Sequence, residues 1–337
     1  MHSILKVFRK IIPVVSTVFI LSLIIFSWEV YFPVKPNSDQ IIEFLAQKGE
    51  GDEEIAIRLE EQGIIKNNYF FNIYAIISGN DSKLQAGKYA LSPKMTVPEI
   101  IKKFVSGDVI KQKITILEGW DIADIEKYFA DEKISNEQDF KEALKKDYSG
   151  EFDFLKEKPQ DIGIEGYIFP DTYNISLGEK AEDVIRLMLS NFNKKLNTGL
   201  REQIISQNKT VFQVITMASI IEKEVKSTDD KKIVAGILWK RLSAGMPLQV
   251  DATVNYITGK NHSGVTIKDT KIDSPYNTYK YIGLPKGPIS NPGMNSIIAA
   301  IYPTESKYWY YLSDLNGKTI FSKTFSEHSL AASKYLR

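Results

Sequence analysis

A long uncharged apolar run near the N-terminus dominates the hydropathy pattern. Ile11–Trp28 contains eighteen residues without a charge, rich in Ile, Val, Leu and Phe. A helix of that length rises about 27 Å, enough to cross the hydrocarbon core of a bilayer. Basic residues precede the run, and no small-x-small cleavage site follows it, so an anchor is favoured over a signal peptide. We predict a cytoplasmic tail at 1–10, a transmembrane anchor at 11–31 and an extracytoplasmic remainder.

Short helical and strand patterns follow the anchor. Pro33–Ser38 contains two prolines and an Asn-Ser pair, the composition of a linker, which we place at 32–38. Apolar residues then recur at helical spacing in three segments. These helices are predicted at Asp52–Gln62, Asn68–Ser78 and Val97–Ser106. The third opens on Thr96-Val-Pro-Glu99, the sequence of a capping box, and Leu84–Leu91 is predicted to contain a short strand.

A larger mixed region extends from residue 111 to residue 337. Alternating residues predict a strand at Lys111–Leu117, and a helical pattern follows around Ile122–Phe129. The charged segment Glu132–Gln160 is predicted to be helical and solvated. Further helices are predicted at Ala181–Leu196, Gly199–Ser206, Val211–Glu224, Lys231–Ala244 and Met294–Ile301, and closing strands at Tyr308–Leu312 and Thr319–Phe321. The whole pattern indicates an α+β fold behind a transmembrane helix.

Two glutamates end the apolar helix predicted at Val211–Glu224. Burying a carboxylate without compensation costs several kcal/mol, so Glu222 and Glu224 need a reason to be there. One reason is catalysis, because an apolar wall raises a carboxyl pKa towards the value that a general acid needs. The other is a structural ion pair, in which one glutamate joins Lys223 or Arg241 and ties helices together. Helical spacing predicts that Glu222 is the more buried of the two.

A loop-rich segment at residues 245–292 is dense in Pro, Gly, Asn and Tyr. Rigid prolines, tyrosine rings and amide groups suit a carbohydrate cleft, because rings pack on sugars and amides bond hydroxyl groups. The alternative is an ordered structural loop whose tyrosines fill its own core. A second aromatic cluster, Glu165–Tyr173, has alternating rings followed by a Pro-Asp-Thr turn.

Composition excludes several classes of site. The chain of 337 residues has a formal net charge of +1, no cysteine and three histidines. The balanced charge provides no basic field for nucleic acid, so none is expected as a partner. Without cysteine there are no disulfides, thiolate zinc sites or cysteine nucleophiles. The scattered histidines disfavour a metal site or a Ser-His-Asp triad and leave only His262 or His328 as single participants. No cofactor or metal is expected.

Five segments together resemble the YceG-like endolytic murein transglycosylases. They are Glu165-Gly-Tyr-Ile-Phe-Pro-Asp-Thr-Tyr173, Ala218-Ser-Ile-Ile-Glu-Lys-Glu224, Leu248-Gln-Val-Asp-Ala-Thr-Val254, Tyr276-Asn-Thr-Tyr279 and Gly283-Leu-Pro-Lys-Gly-Pro-Ile289. They occur in the family's order behind one anchor, so the resemblance covers essentially the whole chain. It implies a LysM-like α/β subdomain at 39–110 and a mixed α+β catalytic domain at 111–337 with a Pro/Gly/Tyr-rich cleft loop.

The resemblance implies a lyase at the bacterial cytoplasmic (inner) membrane, with its catalytic domain in the periplasm. Such an enzyme cuts nascent glycan strands of peptidoglycan between N-acetylmuramic acid and N-acetylglucosamine, leaves a 1,6-anhydro end, and terminates glycan elongation. Glu224 matches the family's catalytic glutamate, with Glu222 as its companion or alternative acid. The implied partners are peptidoglycan glycan strands, the cell membrane and glycan-polymerising synthases. Seven further residues are expected to bind substrate: Glu165, Tyr167, Asp171, Gln249, Asp251, Tyr276 and Asn277.

Two other classes of protein are possible on the residues alone. A non-catalytic peptidoglycan-binding membrane tether would use residues 39–110 to bind glycan and the rest as scaffold. Such a binder gains nothing from Glu222 and Glu224 at the end of an apolar helix. A pyridoxal-phosphate lyase would need a Schiff-base lysine and a phosphate cup, and an extracytoplasmic location suits it poorly.

Overall fold

Helices and strands alternate along most of the chain, as the predicted α+β class requires. The computed structural model describes residues 2–260 and 265–336, with side chains from Ile12 onward, so His262 lies outside the described residues. The chain divides into two compact units. The N-terminal unit comprises the chain up to Lys113 together with Asn174–Glu179, and the C-terminal unit comprises Ile114–Tyr173 and the chain from Lys180 onward.

The N-terminal unit begins with one long helix, α1 (His2–Tyr31), which contains the predicted apolar run. Its segment Ile12–Tyr31 is long and apolar enough to cross a membrane, with a mean hydropathy of 1.9. Length and composition therefore agree with a single membrane-spanning helix at the N-terminus.

Two antiparallel strands and three helices make up the rest of this unit. In chain order they are β1 (Ile42–Ala46), α2 (Asp52–Glu61), α3 (Asn68–Ile77), β2 (Gly87–Leu91) and α4 (Val97–Ser106). Strand pairing places Phe44 opposite Tyr89, and both rings meet Phe104 of α4 in a buried core. The predicted capping box is confirmed at the start of α4, where Thr96 N donates to Glu99 Oε2 over 2.8 Å.

Strands β3 (Lys111–Thr115) and β4 (Thr172–Ser176) pair as a second two-stranded sheet, and the division between units passes through both strands. The predicted strand at Lys111–Leu117 is confirmed in β3. Strand β4 is a correction, because the pattern after Pro170 predicts only a turn. The chain extends from Thr172 because its backbone pairs with β3, a partner that local sequence does not specify.

The C-terminal unit is built around one buried helix. Its helices are α5 (Ile122–Asp131), α6 (Glu137–Lys145), α7 (Ala181–Lys195), α8 (Thr198–Ser206), α9 (Val211–Glu224), α10 (Thr228–Ser243), α11 (Asp251–Thr258), α12 (Met294–Ile301) and α13 (Phe325–Tyr335), and its hairpin is β5 (Tyr310–Ser313) with β6 (Thr319–Ser322). Helix α9 contacts α8, α10, α11 and α12, and every residue of Val214–Ile221 is buried. An all-round apolar helix is stable only when its neighbours cover every face, and here they do.

One expectation about this unit is wrong. The charged segment Glu132–Gln160 is not a solvated helix: only α6 is helical at length, and Phe140, Tyr148 and Phe154 are buried. These aromatic rings override the charge pattern around them because burying them removes a large apolar surface from water. The segment 245–292 is loop-rich as predicted, and it also contains α11 and a 3-10 turn at Asp269–Lys271.

Gly236 allows α10 to approach the backbone after α12. A Cβ built on Gly236 would lie 2.1 Å from the carbonyl oxygen of Thr304, whose own N–H donates to Lys232 O over 2.9 Å.

Alanine in a helix interior normally stabilises by about 1 kcal/mol relative to glycine. We expect Gly236→Ala to do the reverse and lower the free energy of unfolding by about 1–3 kcal/mol, because the backbone must move. Calorimetry beside Gly150→Ala, whose Cβ meets nothing within 4 Å, checks this; equal stability of the two would contradict it.

Candidate active site

The two glutamates at the end of α9 point to different surroundings. Residues two apart on a helix lie about 200° apart around its axis. Glu222 turns towards α10 and α12, and Glu224 turns towards the hairpin β5–β6. The two carboxyl groups at this helix end therefore lie in different environments, one among the donors of α10 and α12 and the other beside the β5–β6 hairpin.

Glu222 is fully engaged by three donors. Its Oε1 accepts a hydrogen bond from Lys231 Nζ over 2.9 Å, and the two side chains are only 8% and 5% exposed. Its Oε2 accepts from Gly293 N at 2.9 Å and Ser296 Oγ at 2.7 Å, at the N-terminus of α12. The helix dipole and the ammonium group both stabilise the anion. Helical spacing predicts that Glu222 is the more buried of the two glutamates, but both are only partly exposed. The ionic partner of Glu222 is Lys231 rather than Lys223 or Arg241.

Glu224 lies on the wall of a cavity of about 820 Å³ in the C-terminal unit. Its Oε2 accepts a hydrogen bond from Tyr311 Oη over 3.0 Å, and Ser313 Oγ approaches its carbonyl oxygen at 3.4 Å. Strand β5 therefore holds both the side chain and the backbone of the last residue of α9. No cation pairs with the Glu224 carboxylate among the described residues.

Burial raises the pKa of Glu224 to about 7. The charge of Asp251 raises this pKa further, while the hydrogen bonds from Tyr311 and from the Ala252 backbone lower it. Near neutral pH the carboxyl group is therefore divided between its protonated and ionised forms. A group in that state can both give and take a proton, which is the property that a general acid-base catalyst needs.

A loop and the start of α11 bring Gln249 and Asp251 into the same cavity. Asp251 Oδ1 accepts a hydrogen bond from Tyr279 Oη over 2.5 Å. Gln249 adopts a left-handed conformation with φ 54°, and its N–H donates to Thr278 O over 3.1 Å. Two segments that are separate in sequence, Leu248–Val254 and Tyr276–Tyr279, thus form one wall.

Aromatic and cationic side chains form another part of the cavity lining. The Arg241 guanidinium donates to the carbonyl oxygens of Trp309 and Leu248 and lies 4.9 Å from the centre of the Tyr310 ring. His328 of α13 stacks on the other side of this lining, with its ring 5.4 Å from that of Tyr310. In residues 2–260 and 265–336, no three His, Asp or Glu side chains cluster closely enough to hold a metal ion.

Glu165 lies in a buried network directly behind the cavity lining, where its carboxyl group interacts with the cavity-lining Tyr256. Its Oε2 accepts from Ile122 N at the start of α5, over 2.9 Å, and its Oε1 accepts from Asn291 Nδ2 at 3.1 Å. Burial raises its pKa to about 8. Asn291 also accepts from Ile168 N and donates to Trp120 O, so one amide joins three segments. Glu165 and Asn291 position the segments that precede α5 and α12.

The structure places three other expected binding residues outside the cavity lining. Tyr167 is wholly buried against Phe154 and Phe192, where burial raises its pKa. Asp171 accepts from Asn191 Nδ2 over 3.0 Å near strand β4. Asn277 is buried and donates to Thr270 O and Ile272 O, which closes its own loop.

Tyr276 is half-buried against Tyr256, with ring centres 5.1 Å apart. Tyr256 lines the cavity, whereas Tyr276 packs against Tyr256 and is not part of the lining. Of the seven expected binding residues, the structure therefore brings Gln249 and Asp251 together with Glu224. Sequence reasoning missed Tyr311 and Tyr279, although both lie in segments that it had singled out as a strand and a motif.

One glycine lets the aromatic cluster pack against the motif that ends at Ile289. Gly166 has φ 87°, and a Cβ there would lie 2.6 Å from Pro288 Cβ. The same motif is tied to α9, because Ile289 N donates to Ser219 Oγ over 3.0 Å. The aromatic cluster therefore packs against the motif that ends at Ile289, and that motif is hydrogen-bonded to α9.

We expect Glu222→Gln to destabilise the protein by about 3–5 kcal/mol, because it leaves Lys231 buried without a counter-charge. The double variant Glu222→Gln with Lys231→Met should recover part of this loss, since it removes the stranded ammonium group as well. Thermal unfolding of both variants measures the difference. A single variant as stable as the natural protein, or a double variant less stable than the single one, would contradict the structural role of the pair.

Comparisons with known proteins agree on one family. The YceG-like family model matches residues 44–334. A protein of Bacillus subtilis named endolytic murein transglycosylase is 36% identical over 90% of this chain and 87% of its own length. A Streptococcus pneumoniae protein of the same name is 30% identical over 88% of this chain, which spans 58% of that relative's length. The crystal structure of a yceG-like protein from Listeria monocytogenes is similar, with a TM-score of 0.60, 33% identity and coverage of 87% of this chain and 100% of that one. This chain belongs to the YceG-like family.

Proposed function

We propose that the protein is a membrane-anchored endolytic lytic transglycosylase, a lyase that cuts peptidoglycan glycan strands internally and so terminates their elongation. The observation that carries this proposal is Glu224, a carboxyl group of pKa about 7 on the wall of a cavity large enough for sugar rings. The names of the Bacillus and Streptococcus relatives support the substrate class.

The reaction needs one group that first donates and then accepts a proton. Protonated Glu224 donates its proton to the glycosidic oxygen as the bond from that oxygen to C1 of N-acetylmuramic acid breaks. N-acetylglucosamine then leaves with a hydroxyl group at C4. The resulting carboxylate accepts the proton of the muramic C6 hydroxyl as O6 bonds to C1. The product carries a 1,6-anhydro end, no water is consumed, and Glu224 returns to its starting state.

Two neighbours adjust this cycle in opposite directions. The Asp251 charge favours the protonated carboxyl group that acts first, and the Tyr311 hydrogen bond favours the carboxylate that acts second. Burial is the main cause of the raised pKa of Glu224, and these two neighbours adjust it around neutral pH, where both halves of the cycle proceed. Tyr279 in turn holds Asp251 in place.

Glycan recognition is proposed to use the rest of the cavity wall. Gln249 and Asp251 are positioned to bond acetamido and hydroxyl groups, and the rings of Tyr256 and Tyr279 offer apolar faces to sugars. The buried residues Glu165, Tyr167 and Asn277 act indirectly by fixing the segments behind this wall. Asp171 and Tyr276 serve the same supporting purpose.

The N-terminal unit is proposed to add a second glycan contact. Strands β1 and β2 pair in an antiparallel manner around the helices α2 and α3, an order that supports a LysM-like subdomain at 39–110. Helix α1 is proposed to hold the enzyme in the cytoplasmic membrane with the short N-terminus inside and the catalytic unit in the periplasm. Glycan-polymerising synthases are the proposed partners, because a terminator must meet strands while they are being extended.

We expect Glu224→Gln to lower the release of anhydro-muropeptides from purified sacculi by about 10²–10⁴-fold, the usual contribution of general acid-base catalysis. Mass analysis of the products measures the anhydro end. Glu202→Gln on α8, an exposed carboxyl group outside the cavity lining, is the matched control and should keep full activity. Release by the Glu224→Gln protein at the natural rate would overturn the assignment of Glu224 as the acid. Failure of the unaltered protein to release any fragment would favour the second candidate, a non-catalytic glycan-binding tether.

The pH profile should distinguish the two neighbours of Glu224. Activity is expected to fall as pH rises through about 7, because the acid is lost as its carboxyl group ionises. Asp251→Asn removes a charge that raises this pKa, so the alkaline limb should move to lower pH. Tyr311→Phe removes a hydrogen bond that lowers it, so the limb should move to higher pH. Shifts of the same sign in both variants, measured as kcat/KM, would refute this account.

A further inference from the structure

Helix α3 exposes an apolar face that the N-terminal unit leaves uncovered. Tyr69, Ile76 and Ile77 are 65%, 64% and 71% exposed. At 100° per residue, these three residues and Ile73 fall within about 100° of arc on one side of the helix. Eight of the ten residues of α3 have apolar or aromatic side chains, but only two of them, Phe71 and Ala75, are buried.

The end of α1 is part of the core of this same unit. Val30 is wholly buried among residues of α2, α3 and α4, and Phe26 packs against that cluster. The Phe26 and Phe70 rings meet at 6.1 Å, and the Tyr31 and Tyr74 rings at 6.0 Å. The anchor is therefore docked directly onto α3 before the linker at residues 32–38 begins.

Lys66 adds a polar tie at the same place. Its Nζ donates to the Trp28 carbonyl oxygen over 2.9 Å and lies 4.4 Å from the centre of the Trp28 ring. The bond satisfies one of the carbonyl groups that the end of a helix leaves unpaired. Aromatic packing and this tie together fix the depth of α3 relative to α1.

That depth follows from the length of the anchor. The twenty residues Ile12–Tyr31 rise about 30 Å, the thickness of the hydrocarbon core, so Tyr31 lies at its outer boundary. Phe26 lies about 7.5 Å inside that boundary. Since Phe70 contacts Phe26 and Tyr74 contacts Tyr31, α3 lies between the upper hydrocarbon and the headgroup layer. Ile77 is three residues beyond Tyr74, about 4.5 Å along the helix, and remains within the headgroup layer.

We propose that α3 is an interfacial helix that binds bilayer lipid through Tyr69, Ile73, Ile76 and Ile77, beside the transmembrane anchor. This proposal rests on the proposed membrane insertion of α1. Lipid is the occupant that the geometry favours, because the exposed face continues from the lipid-exposed surface of α1 at Trp28 and Tyr31. Aromatic rings with a polar edge, such as Tyr69, are typical of this depth. The N-terminal unit is thereby seated on the membrane surface rather than tethered at a distance from it.

The absence of cysteine makes a direct test possible in the full-length chain. Single variants Tyr69→Cys and Ile77→Cys, labelled with an environment-sensitive fluorophore, are placed in nanodiscs whose lipids carry a quencher in the upper acyl chain. We expect loss of most of the fluorescence at both positions. Ile205→Cys on α8, an isoleucine 66% exposed in the C-terminal unit, is the matched control and should lose little.

A fourth variant distinguishes the proposed interfacial helix from the proposed membrane insertion of α1, on which it rests. Phe19→Cys, in the middle of the span, reports on insertion of α1 itself and should be shielded from a water-soluble quencher. Shielding at Phe19 with quenching at positions 69 and 77 no stronger than at Ile205 would overturn the interfacial helix and leave the anchor intact. Loss of shielding at Phe19 would overturn the anchor and the interfacial helix together. Matching thermal unfolding of all four proteins confirms that the labels report on the native fold.

Discussion

The carboxylate of Glu222 is the constraint on which the geometry of the site depends. It joins Lys231 of α10, the backbone before α12 and Ser296 within α12 to the last turn of α9. Ion pairs that are this buried contribute little net stability, but removing one partner leaves the other charge buried and unpaired, which is costly. Conformations that separate Glu222 from Lys231 are therefore disfavoured. Because Glu224 follows two residues later on the same helix, this fixed turn also sets where the Glu224 carboxyl group lies on the cavity wall.

The environment of Glu224 shows how two adjacent positions on one helix acquire different chemistry. Glu222 receives an ammonium group, a backbone N–H and a hydroxyl group, whereas Glu224 receives a phenol, the Ala252 backbone N–H and the nearby charge of Asp251. Burial without a cation favours the neutral carboxyl group of Glu224, and the two hydrogen bonds partly restore the carboxylate. The two glutamates thus differ in the donors that the tertiary structure supplies, and this difference supports the proposed role of Glu224.

In the N-terminal unit, the same residues serve both the long N-terminal helix and the hydrophobic core. Val30 and Phe26 belong both to α1 and to the hydrophobic core of the unit, so the helix proposed to span the membrane also completes that core. A flexible tether would leave the height of the unit undefined. Docking α1 against α3 gives this unit a defined depth, which suits a protein whose proposed substrate is a nascent strand close to the membrane.

Local pattern determined much of this protein. The anchor, the capping box at Thr96 and the full extent of α9 follow from hydropathy, helical spacing and turn chemistry, all of which act between near neighbours in sequence. Other features needed partners from distant segments: β1 and β4 exist because another strand pairs with them, and Phe140 and Tyr148 are buried in a segment whose charges suggested exposure. Helical spacing predicts Glu222 as the more buried of the two glutamates but could not reveal that Lys231, Gly293 and Ser296 surround it. The sequence by itself determined that two glutamates end an apolar helix. Only the tertiary structure decided that Glu222 lies among three donors and that Glu224 faces Tyr311 and Asp251. The reason is that the pKa of Glu224 depends on groups that only chain folding brings within a few ångströms of it.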